Sequence, residues 1–397
     1  MSYPTVTLKP GRERSVVQRH PWIFSGAIAT ISDGACDGNV VDVRSAQGEW
    51  LARGVLNRRS QITVRILTWE EGEPIDERFW RRRLETSLAR RAPLTADEGT
   101  DSYRLVFSES DGLPGLIVDR YGDWLVAQFS AWAAEVGRAT LVEALRELVP
   151  ARGLIERVDA EARKREGLPL QEGLIWGEEP PELIEIRENG HRFLVDVREG
   201  QKTGFFLDQR RNRAIVGGWS GGARVLNGFA YTGGFGVYAL AAGAEHVINV
   251  DSSYDALVLA ERAFQLNGFT EERYELIQAN MFELLRDYRA RGEQFDLIIL
   301  DPPKFATRQS QLSSATRGYK DINLLAMQLL RPGGILATFS CSGVVSIDLF
   351  QKIIWGASLD AGRVVQIIER LGQGLDHPIL LTFPESEYLK GLLCRVD

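Results

Sequence analysis

The chain has 397 residues, is 44% hydrophobic and 25% charged, and carries a formal net charge of −7, which is ordinary for a soluble globular protein of roughly two to four domains. The net acidity argues against indiscriminate binding of nucleic acid. Because the sequence shows no membrane-length apolar run, no signal peptide, and no metal-ligand or disulfide spacing among its cysteines and histidines, we expect a cytoplasmic, metal-free protein.

Residues 1–72 predict a small β-rich domain, since apolar and polar residues alternate in segments 40–44 and 62–67. A run of basic residues lies near its start. We call its members, Lys9, Arg12, Arg14 and Arg19, the N-terminal basic cluster. Such a run is usually a solvated face. Because a second basic run lies at residues 76–91, the alternative is that these clusters contact a polyanion.

The next hundred residues predict a central domain that mixes helices and strands. A polar stretch at residues 94–101 reads as a linker, and Pro180 and Pro181 mark a boundary. The predicted elements are a helix at 75–91, strands at 103–108, 116–119 and 124–129, and a helix at 133–148.

From about residue 183 the pattern changes. Segments 182–187 and 193–197 predict a hairpin around Asn189 and Gly190, a common two-residue turn. Beyond residue 200, strands alternate with helices. This alternation predicts an α/β fold with a mostly parallel sheet and helices on both faces.

Two short motifs follow apolar runs that read as buried strands. Asp301, Pro302, Pro303 and Lys304 come after residues 295–300, and Cys341 comes after residues 334–340. The carboxyl ends of parallel strands meet at one edge, so we expect both motifs to line one crevice. An acid on rigid backbone beside a thiol suits an enzyme that holds a flat base and attacks its ring through sulfur.

The chemistry that needs such a thiol is methylation of pyrimidine carbon 5, which is a poor nucleophile until a thiolate adds at carbon 6. We predict Cys341 as the nucleophile, Lys304 as the positive charge that favours its thiolate, and Asp301 as the group that holds the edge of the base. The alternative for Cys341 is a small buried apolar residue.

A glycine-rich turn at residues 229–236 lies between an apolar strand and a helix, and Asp251 ends the next strand. Such a turn lets backbone approach a ligand, and the acid can accept hydrogen bonds from a ribose. The turn is not the dinucleotide fingerprint. Packing of the helix and capping by Asp251 are the alternative reading.

The order of glycine turn, Asp251, Asn280 and Asp301 resembles the class I S-adenosylmethionine-dependent methyltransferases. Related enzymes usually carry an acid where this chain has Asn280, so a charged contact to the adenine is lost. The resemblance implies S-adenosylmethionine as cofactor. The cofactor-binding residues that it implies are Phe206, Gln209, Asn227, Phe229, Tyr231, Thr232, Gly233, Asp251, Asn280, Asp301 and Pro302.

Further motifs make the whole chain similar to one bacterial family, the PUA-containing ribosomal RNA cytosine-C5 methyltransferases. These motifs lie at residues 8–15, 19–28, 101–105, 109–115, 201–210, 310–312, 317–323 and 388–391. The resemblance implies a PUA domain at 1–72, a central α+β domain at 73–180 and a Rossmann-like methyltransferase domain at 181–397. It implies large-subunit (23S) ribosomal RNA as substrate and no membrane partner, and it allows a homodimer. RNA contacts are expected from the N-terminal basic cluster, Lys202 and Arg210.

Three alternatives stay open. A related family that shares the segment at 201–204 methylates guanine N2 and needs no thiol. Uracil-C5 methyltransferases combine the Asp-Pro-Pro motif with a Ser-Cys pair, but they typically continue Asn-Pro where this chain has Ser342 and Gly343. The third is a non-catalytic RNA-binding factor in ribosome assembly whose methyltransferase domain has decayed.

Overall fold

The computed structural model describes residues 3–397, so the first two residues of the predicted PUA domain, Met1 and Ser2, lie outside the described part. The chain divides into two compact units. The first contains the chain up to Ile186 together with Val195–Phe205 and Leu375–Ser386. The second contains Arg187–Leu194, Phe206–Gly374 and Glu387–Asp397.

Two sheets organise the described part of the first unit. One has six strands in the order β2-β6-β5-β4-β1-β3, and the other has five in the order β11-β10-β9-β8-β7. The elements are β1 (Thr5–Leu8), α1 (Arg14–Val17), β2 (Trp22–Phe24), β3 (Ile28–Ile31), β4 (Val40–Arg44), β5 (Trp50–Leu56), β6 (Ile62–Thr68), α2 (Glu77–Ala89), α3 (Ala92–Thr95), β7 (Ser102–Phe107), β8 (Leu116–Tyr121), β9 (Trp124–Phe129), α4 (Trp132–Val136), α5 (Arg138–Leu148), β10 (Gly153–Glu156), α6 (Ala160–Glu166) and β11 (Gly173–Gly177).

Local chemistry explains most of these elements. Helix α2 begins where the Asp76 carboxylate accepts a hydrogen bond from the backbone N–H of Phe79, and it buries Phe79, Trp80 and Leu84. Two predictions differ from the structure. The segment predicted as a linker at 94–101 begins inside the short helix α3. Pro93 lies in the first turn of this helix, where backbone N–H groups have no partner within the helix and proline is tolerated. The helix predicted at 133–148 is split at Gly137 into α4 and α5.

The hairpin predicted around Asn189 and Gly190 is present, formed by β12 (Ile184–Glu188) and β13 (His191–Val195). Its two turn residues have φ of +49° and +84°, the left-handed region that such a turn requires.

The second unit is built on a sheet whose described strands follow the order β16-β15-β14-β17-β18-β20-β19. Strands β14 to β18 pair in parallel, and β20 runs antiparallel to both of its neighbours. The elements are α7 (Arg210–Gly217), β14 (Arg224–Gly228), α8 (Gly234–Ala241), β15 (His246–Asp251), α9 (Tyr254–Leu266), β16 (Tyr274–Gln278), α10 (Met281–Arg291), β17 (Phe295–Leu300), α11 (Leu312–Leu329), β18 (Leu330–Ser340), α12 (Ile347–Ala361), β19 (Val365–Gly372) and β20 (Lys390–Val396).

Helices cover both faces of this sheet. On one face α10, α11 and α12 share a core with alternate strand residues such as Ile248, Ile298 and Leu336. On the other face Phe235 of α8 contacts Phe339, with 5.5 Å between ring centroids. The predicted α/β architecture with a mostly parallel sheet is therefore confirmed.

The parallel strands bring several predicted site residues to one edge of the sheet. In register, Gly228 at the end of β14 lies beside both Val250 of β15 and Leu300 of β17, and Leu300 lies beside Thr338 of β18. The residues that follow these positions therefore share the carboxyl edge. Within residues 3–397, no helix is both long enough and apolar enough to cross a membrane.

Candidate active site

The two predicted motifs meet at this edge. The half-buried Cys341 donates a weak hydrogen bond from Sγ to the carbonyl oxygen of Pro302, at 3.9 Å. The other two cysteines are elsewhere: Cys36 is exposed in the first unit, and Cys394 is buried within β20, where burial raises the pKa of its thiol to about 12. The sulfur of Cys341 is thus held against the loop that carries Asp301.

Buried hydroxyl groups fix the backbone on either side of Cys341. Ser340 Oγ donates to the Tyr319 hydroxyl oxygen at 3.0 Å, and the same hydroxyl lies 3.1 Å from Ser342 Oγ. Both serines are fully buried, and Tyr319 comes from α11. The cysteine is therefore presented by a rigid segment, as a nucleophile needs to be.

Lys390 is a residue that the sequence reasoning did not assign to the site. It lies opposite Ser340 in the pairing of β18 with β20, is only 3% exposed, and donates from Nζ to the carbonyl oxygen of Ser342 at 2.9 Å. Burial lowers the pKa of Lys390 to about 8, against the opposite effect of nearby Cys341. The sequence signal that could have identified it is a lysine among the apolar residues Leu389, Leu392 and Leu393. Lysine is rarely fully buried, so a lysine in such a segment indicates a specific role.

Lys304, predicted to favour the thiolate, is exposed in the loop after β17. Its positive charge is close enough to Lys390 to lower the pKa of that lysine. Its role toward Cys341 stays a prediction.

Asp301 is held by Gln209, whose Nε2 donates to Asp301 Oδ2 at 2.8 Å. Burial, with the charge of Asp208 as a second cause, raises the pKa of Asp301 to about 7. The site therefore contains a carboxyl group that is still protonated in about half of the molecules at neutral pH. Gln209 is itself fixed, since Asn212 donates to its side-chain oxygen.

The glycine turn has the backbone of a close-approach loop. Phe229, Tyr231 and Gly233 have φ of +59°, +48° and +75°. A left-handed conformation at two residues other than glycine is uncommon and occurs where the surroundings enforce it, often at a ligand site. A Cβ at Gly233 would lie 2.9 Å from Ala260 Cβ, which explains the glycine.

Asn280 caps a helix, whereas Asp251 accepts hydrogen bonds from the glycine turn and from the segment that leads into α9. The Asp251 carboxylate accepts from the backbone N–H of Tyr231 at 2.8 Å and from that of Ser253 at 2.9 Å. Asn280 Oδ1 accepts from the backbone N–H of Phe282 at 2.9 Å and begins α10. The cap of α9 is Ser253, whose hydroxyl oxygen accepts from the backbone N–H of Ala256, so the capping interpretation of Asp251 is wrong. The ribose and adenine contacts stay predictions.

The remaining predicted cofactor residues differ in placement. The side chain of Asn227 is buried in the sheet and donates to Asn249 Oδ1 at 2.9 Å. Phe206 contacts the ring of Tyr231, with centroids 5.2 Å apart. The carbonyl of Phe206 accepts from Arg213, which forms a buried two-bond ion pair with Glu188.

The predicted RNA contacts also differ in exposure. All four side chains of the N-terminal basic cluster are exposed, and Arg19 lies over the ring of Trp69, 5.5 Å from its centroid. Lys202 is exposed, whereas Arg210 is only 6% exposed. So little surface leaves Arg210 poorly placed for direct contact with RNA, and all these assignments stay predictions.

The residues present fit S-adenosylmethionine. Asp208 Oδ1 and Thr232 Oγ1 are buried with no hydrogen-bond partner among the described residues, and buried polar atoms of this kind call for one. A carboxylate oxygen suits the cofactor's ammonium group, and the hydroxyl lies in the glycine turn. The described residues contain no cluster of three or more His, Cys, Asp or Glu that could bind a metal ion.

Comparison with known families gives two matches. Residues 171–381 match the model of an S-adenosylmethionine-dependent methyltransferase, and residues 6–69 match that of a PUA-like domain. Among solved structures, a putative methyltransferase in complex with SAH covers all of both chains with a TM-score of 0.86 at 22% identity. A putative SAM-dependent methyltransferase from Streptococcus mutans has a TM-score of 0.85 at 21% identity over the same coverage. At these identities the likeness shows the fold.

Curated relatives match over nearly their whole length. A protein from Salmonella arizonae is 49% identical over 395 residues, which is 100% of this chain and 98% of the relative. Proteins from Klebsiella pneumoniae and Yersinia pestis are also 49% identical and cover 99% and 98% of this chain and 98% of the relative in each case. All three are named ribosomal RNA large subunit methyltransferase I.

Proposed function

The chain belongs to the family of ribosomal RNA large subunit methyltransferase I, and we propose that it methylates carbon 5 of a cytosine in large-subunit ribosomal RNA. The observation that supports this choice is the sulfur of Cys341, 3.9 Å from the carbonyl oxygen of Pro302 at the carboxyl edge of the sheet. Methylation of an exocyclic amine needs no thiol, whereas carbon 5 of a pyrimidine needs a nucleophile at carbon 6.

The covalent step begins with the thiolate of Cys341. Its sulfur bonds to carbon 6, and the electron pair of the 5,6 double bond moves toward carbon 5. When bound, S-adenosylmethionine supplies the methyl group that carbon 5 takes, and its sulfur leaves as a neutral thioether. A base then removes the proton from carbon 5, the double bond re-forms, and the bond from carbon 6 to sulfur breaks to return the thiolate.

The protonated carboxyl group of Asp301 favours cytosine over uracil as the substrate base. Its pKa of about 7 lets it present an O–H at neutral pH. Nitrogen 3 of cytosine is an acceptor and takes up negative charge when sulfur adds at carbon 6, so a donor there stabilises the adduct. Nitrogen 3 of uracil carries a proton and cannot accept from this group, which disfavours the uracil alternative.

The PUA-like domain supplies a surface for RNA. The N-terminal basic cluster is exposed there, and Phe24 is 47% exposed nearby in sequence. Exposed cations bind phosphates, and exposed aromatic rings stack on unpaired bases. Lys202 is a further exposed cation for this role.

The test is mass spectrometry of nucleosides from large-subunit ribosomal RNA after incubation with labelled S-adenosylmethionine. We expect labelled 5-methylcytosine from the unaltered protein and none from Cys341→Ala, with cofactor affinity by calorimetry unchanged within about twofold, since the thiol is not needed to bind it. Cys36→Ala, which removes an exposed thiol from the first unit, is the matched control and should retain activity.

Other products identify the alternatives. Labelled N2-methylguanine with undiminished turnover by Cys341→Ala rejects the covalent mechanism. Labelled 5-methyluracil rejects the choice of base, and the absence of any methylated nucleoside supports a non-catalytic RNA-binding protein.

A further inference from the structure

Lys390 is a buried titratable group that forms no bond in the covalent steps of the proposed methyl transfer. We propose that Lys390 is a positioning residue whose ammonium group faces the sulfur of Cys341 and stabilises its thiolate. The inference rests on the proposed function, because it assigns a partner to the nucleophile of that reaction.

The backbone fixes where the ammonium group lies. Pairing of β18 with β20 sets Lys390 directly opposite Ser340, the residue before Cys341. Its Nζ donates to the carbonyl oxygen of Ser342, the residue after Cys341, at 2.9 Å. The lysine therefore spans the segment that carries the sulfur, and it uses one of its three donors to do so.

The charged groups around Lys390 explain why its ammonium group depends on the sulfur of Cys341. Three groups act on its charge: Cys341 favours it, Glu387 in the segment before β20 also favours it, and Lys304 in the loop after β17 opposes it. Glu387 is exposed, and in residues 3–397 no carboxylate lies within ion-pair distance of Lys390. A buried ammonium without a counter-charge is costly, so a thiolate at Cys341 compensates it.

The same pairing acts in the other direction on Cys341. Ionisation breaks the S–H bond and passes the proton to solvent, while the ammonium keeps all its protons. After carbon 6 is released, the electron pair returns to the sulfur, which again faces the ammonium. Lys390 forms and breaks no covalent bond in this cycle, and its effect is to raise the thiolate fraction at neutral pH.

The test measures the rate of alkylation of Cys341 by iodoacetamide against pH in the full-length protein without RNA, by peptide mass spectrometry. Lys390→Gln keeps a donor for the Ser342 carbonyl but removes the charge, and Lys390→Arg keeps the charge. We expect the midpoint of the profile to rise by about one pH unit or more in the Gln variant and to return most of the way in the Arg variant.

The exposed Cys36 reports in the same digests as an internal control, and its profile should be identical in all three proteins. An unchanged Cys341 midpoint in Lys390→Gln overturns the proposal. Alkylation needs neither RNA nor cofactor. A shifted midpoint without 5-methylcytosine formation would therefore reject the proposed function alone, and the reverse result would reject only the role of Lys390.

A second measurement does not require a Lys390 variant to fold. It is an NMR titration of the Lys390 side chain in protein with isotope-labelled lysine. The chain has only seven lysines, so the signal of Lys390 can be assigned. Because the coupling is reciprocal, Cys341→Ser should lower the pKa of Lys390 below its value of about 8. Equal pKa values in the two proteins would overturn the proposal.

Discussion

Replacing Asp301 with asparagine should make the stability of the protein less dependent on pH. Burial and the charge of Asp208 raise the pKa of Asp301 to about 7, while an aspartate in the unfolded chain titrates near 4. Between these values the folded protein keeps a proton that the unfolded chain has released. The stability contributed by Asp301 is therefore fully present below about pH 4 and is lost as the pH rises to about 7.

The size of the effect follows from this difference in pKa. About three units correspond to about 4 kcal/mol in the free energy of unfolding. Asp301 keeps some exposure, and solvent screens part of the cost, so we expect about 2–4 kcal/mol. Asparagine has the same shape, keeps an acceptor for Gln209 and cannot ionise. Relative to the unaltered protein, the variant should gain this amount between pH 4 and pH 8.

The assay is urea unfolding of the cofactor-free protein across this pH range, with the result expressed as the difference in free energy between variant and unaltered protein. Other titrating groups are common to both proteins and cancel. Asp348→Asn is the control, because that side chain is 73% exposed on α12 and forms an ion pair with Lys352 on the same helix. A difference that stays constant with pH for Asp301→Asn would refute the argument.

Two further predictions concern ligands. Asp251→Ala should weaken S-adenosylmethionine binding at least about tenfold by calorimetry, because it removes an acceptor for the ribose and frees the backbone of the glycine turn. Asp255→Ala, on the exposed first turn of α9, is its control, and equal affinity for Asp251→Ala would place the ribose elsewhere. Changing the four residues of the N-terminal basic cluster to glutamine should weaken ribosomal RNA binding, with cofactor affinity unchanged. The slope of log affinity against log salt concentration should become shallower by roughly three units. An unaltered salt slope would show that RNA binds another surface.

The fold was predictable where a pattern is local. The apolar run at residues 295–300 coincides with β17, since a buried strand in a parallel sheet is apolar on both faces. The break between α4 and α5 was not predictable, because it depends on a distant residue. A Cβ at Gly137 would lie 2.6 Å from the ring of Trp80, so the chain approaches α2 there more closely than any side chain permits.

The segment Leu375–Ser386 shows the same limit. The sequence places it inside the methyltransferase domain, yet it belongs to the first unit. The Asp376 carboxylate accepts a hydrogen bond from the backbone N–H of Arg104. The backbone carbonyl of Asp376 accepts one from the buried guanidinium of Arg91. These partners are more than 270 residues away in sequence, so no local pattern could indicate the pairing.

The site was predictable to the level of strand ends. Because parallel strands end at one edge, the sequence placed Asp301 and Cys341 together without knowledge of any contact. What it could not distinguish was whether an acid at a strand end holds the backbone or binds a ligand. Asp251 accepts from two backbone N–H groups, and its contact with a ribose stays a prediction. Lys390 was missed because its relation to Cys341 arises from the non-local pairing of β18 with β20.

The proposed chemistry asks for opposite protonation states in two neighbouring groups. Asp301 must keep its proton to donate to the base, and Cys341 must lose its proton to attack it. Each requirement has its own cause: burial, together with the carboxylate of Asp208, disfavours a negative charge at Asp301, and in our proposal the ammonium of Lys390 favours one at Cys341. Separate partners of opposite sign allow both states to coexist near neutral pH, which a single shared charge could not achieve because it would shift both groups in the same direction.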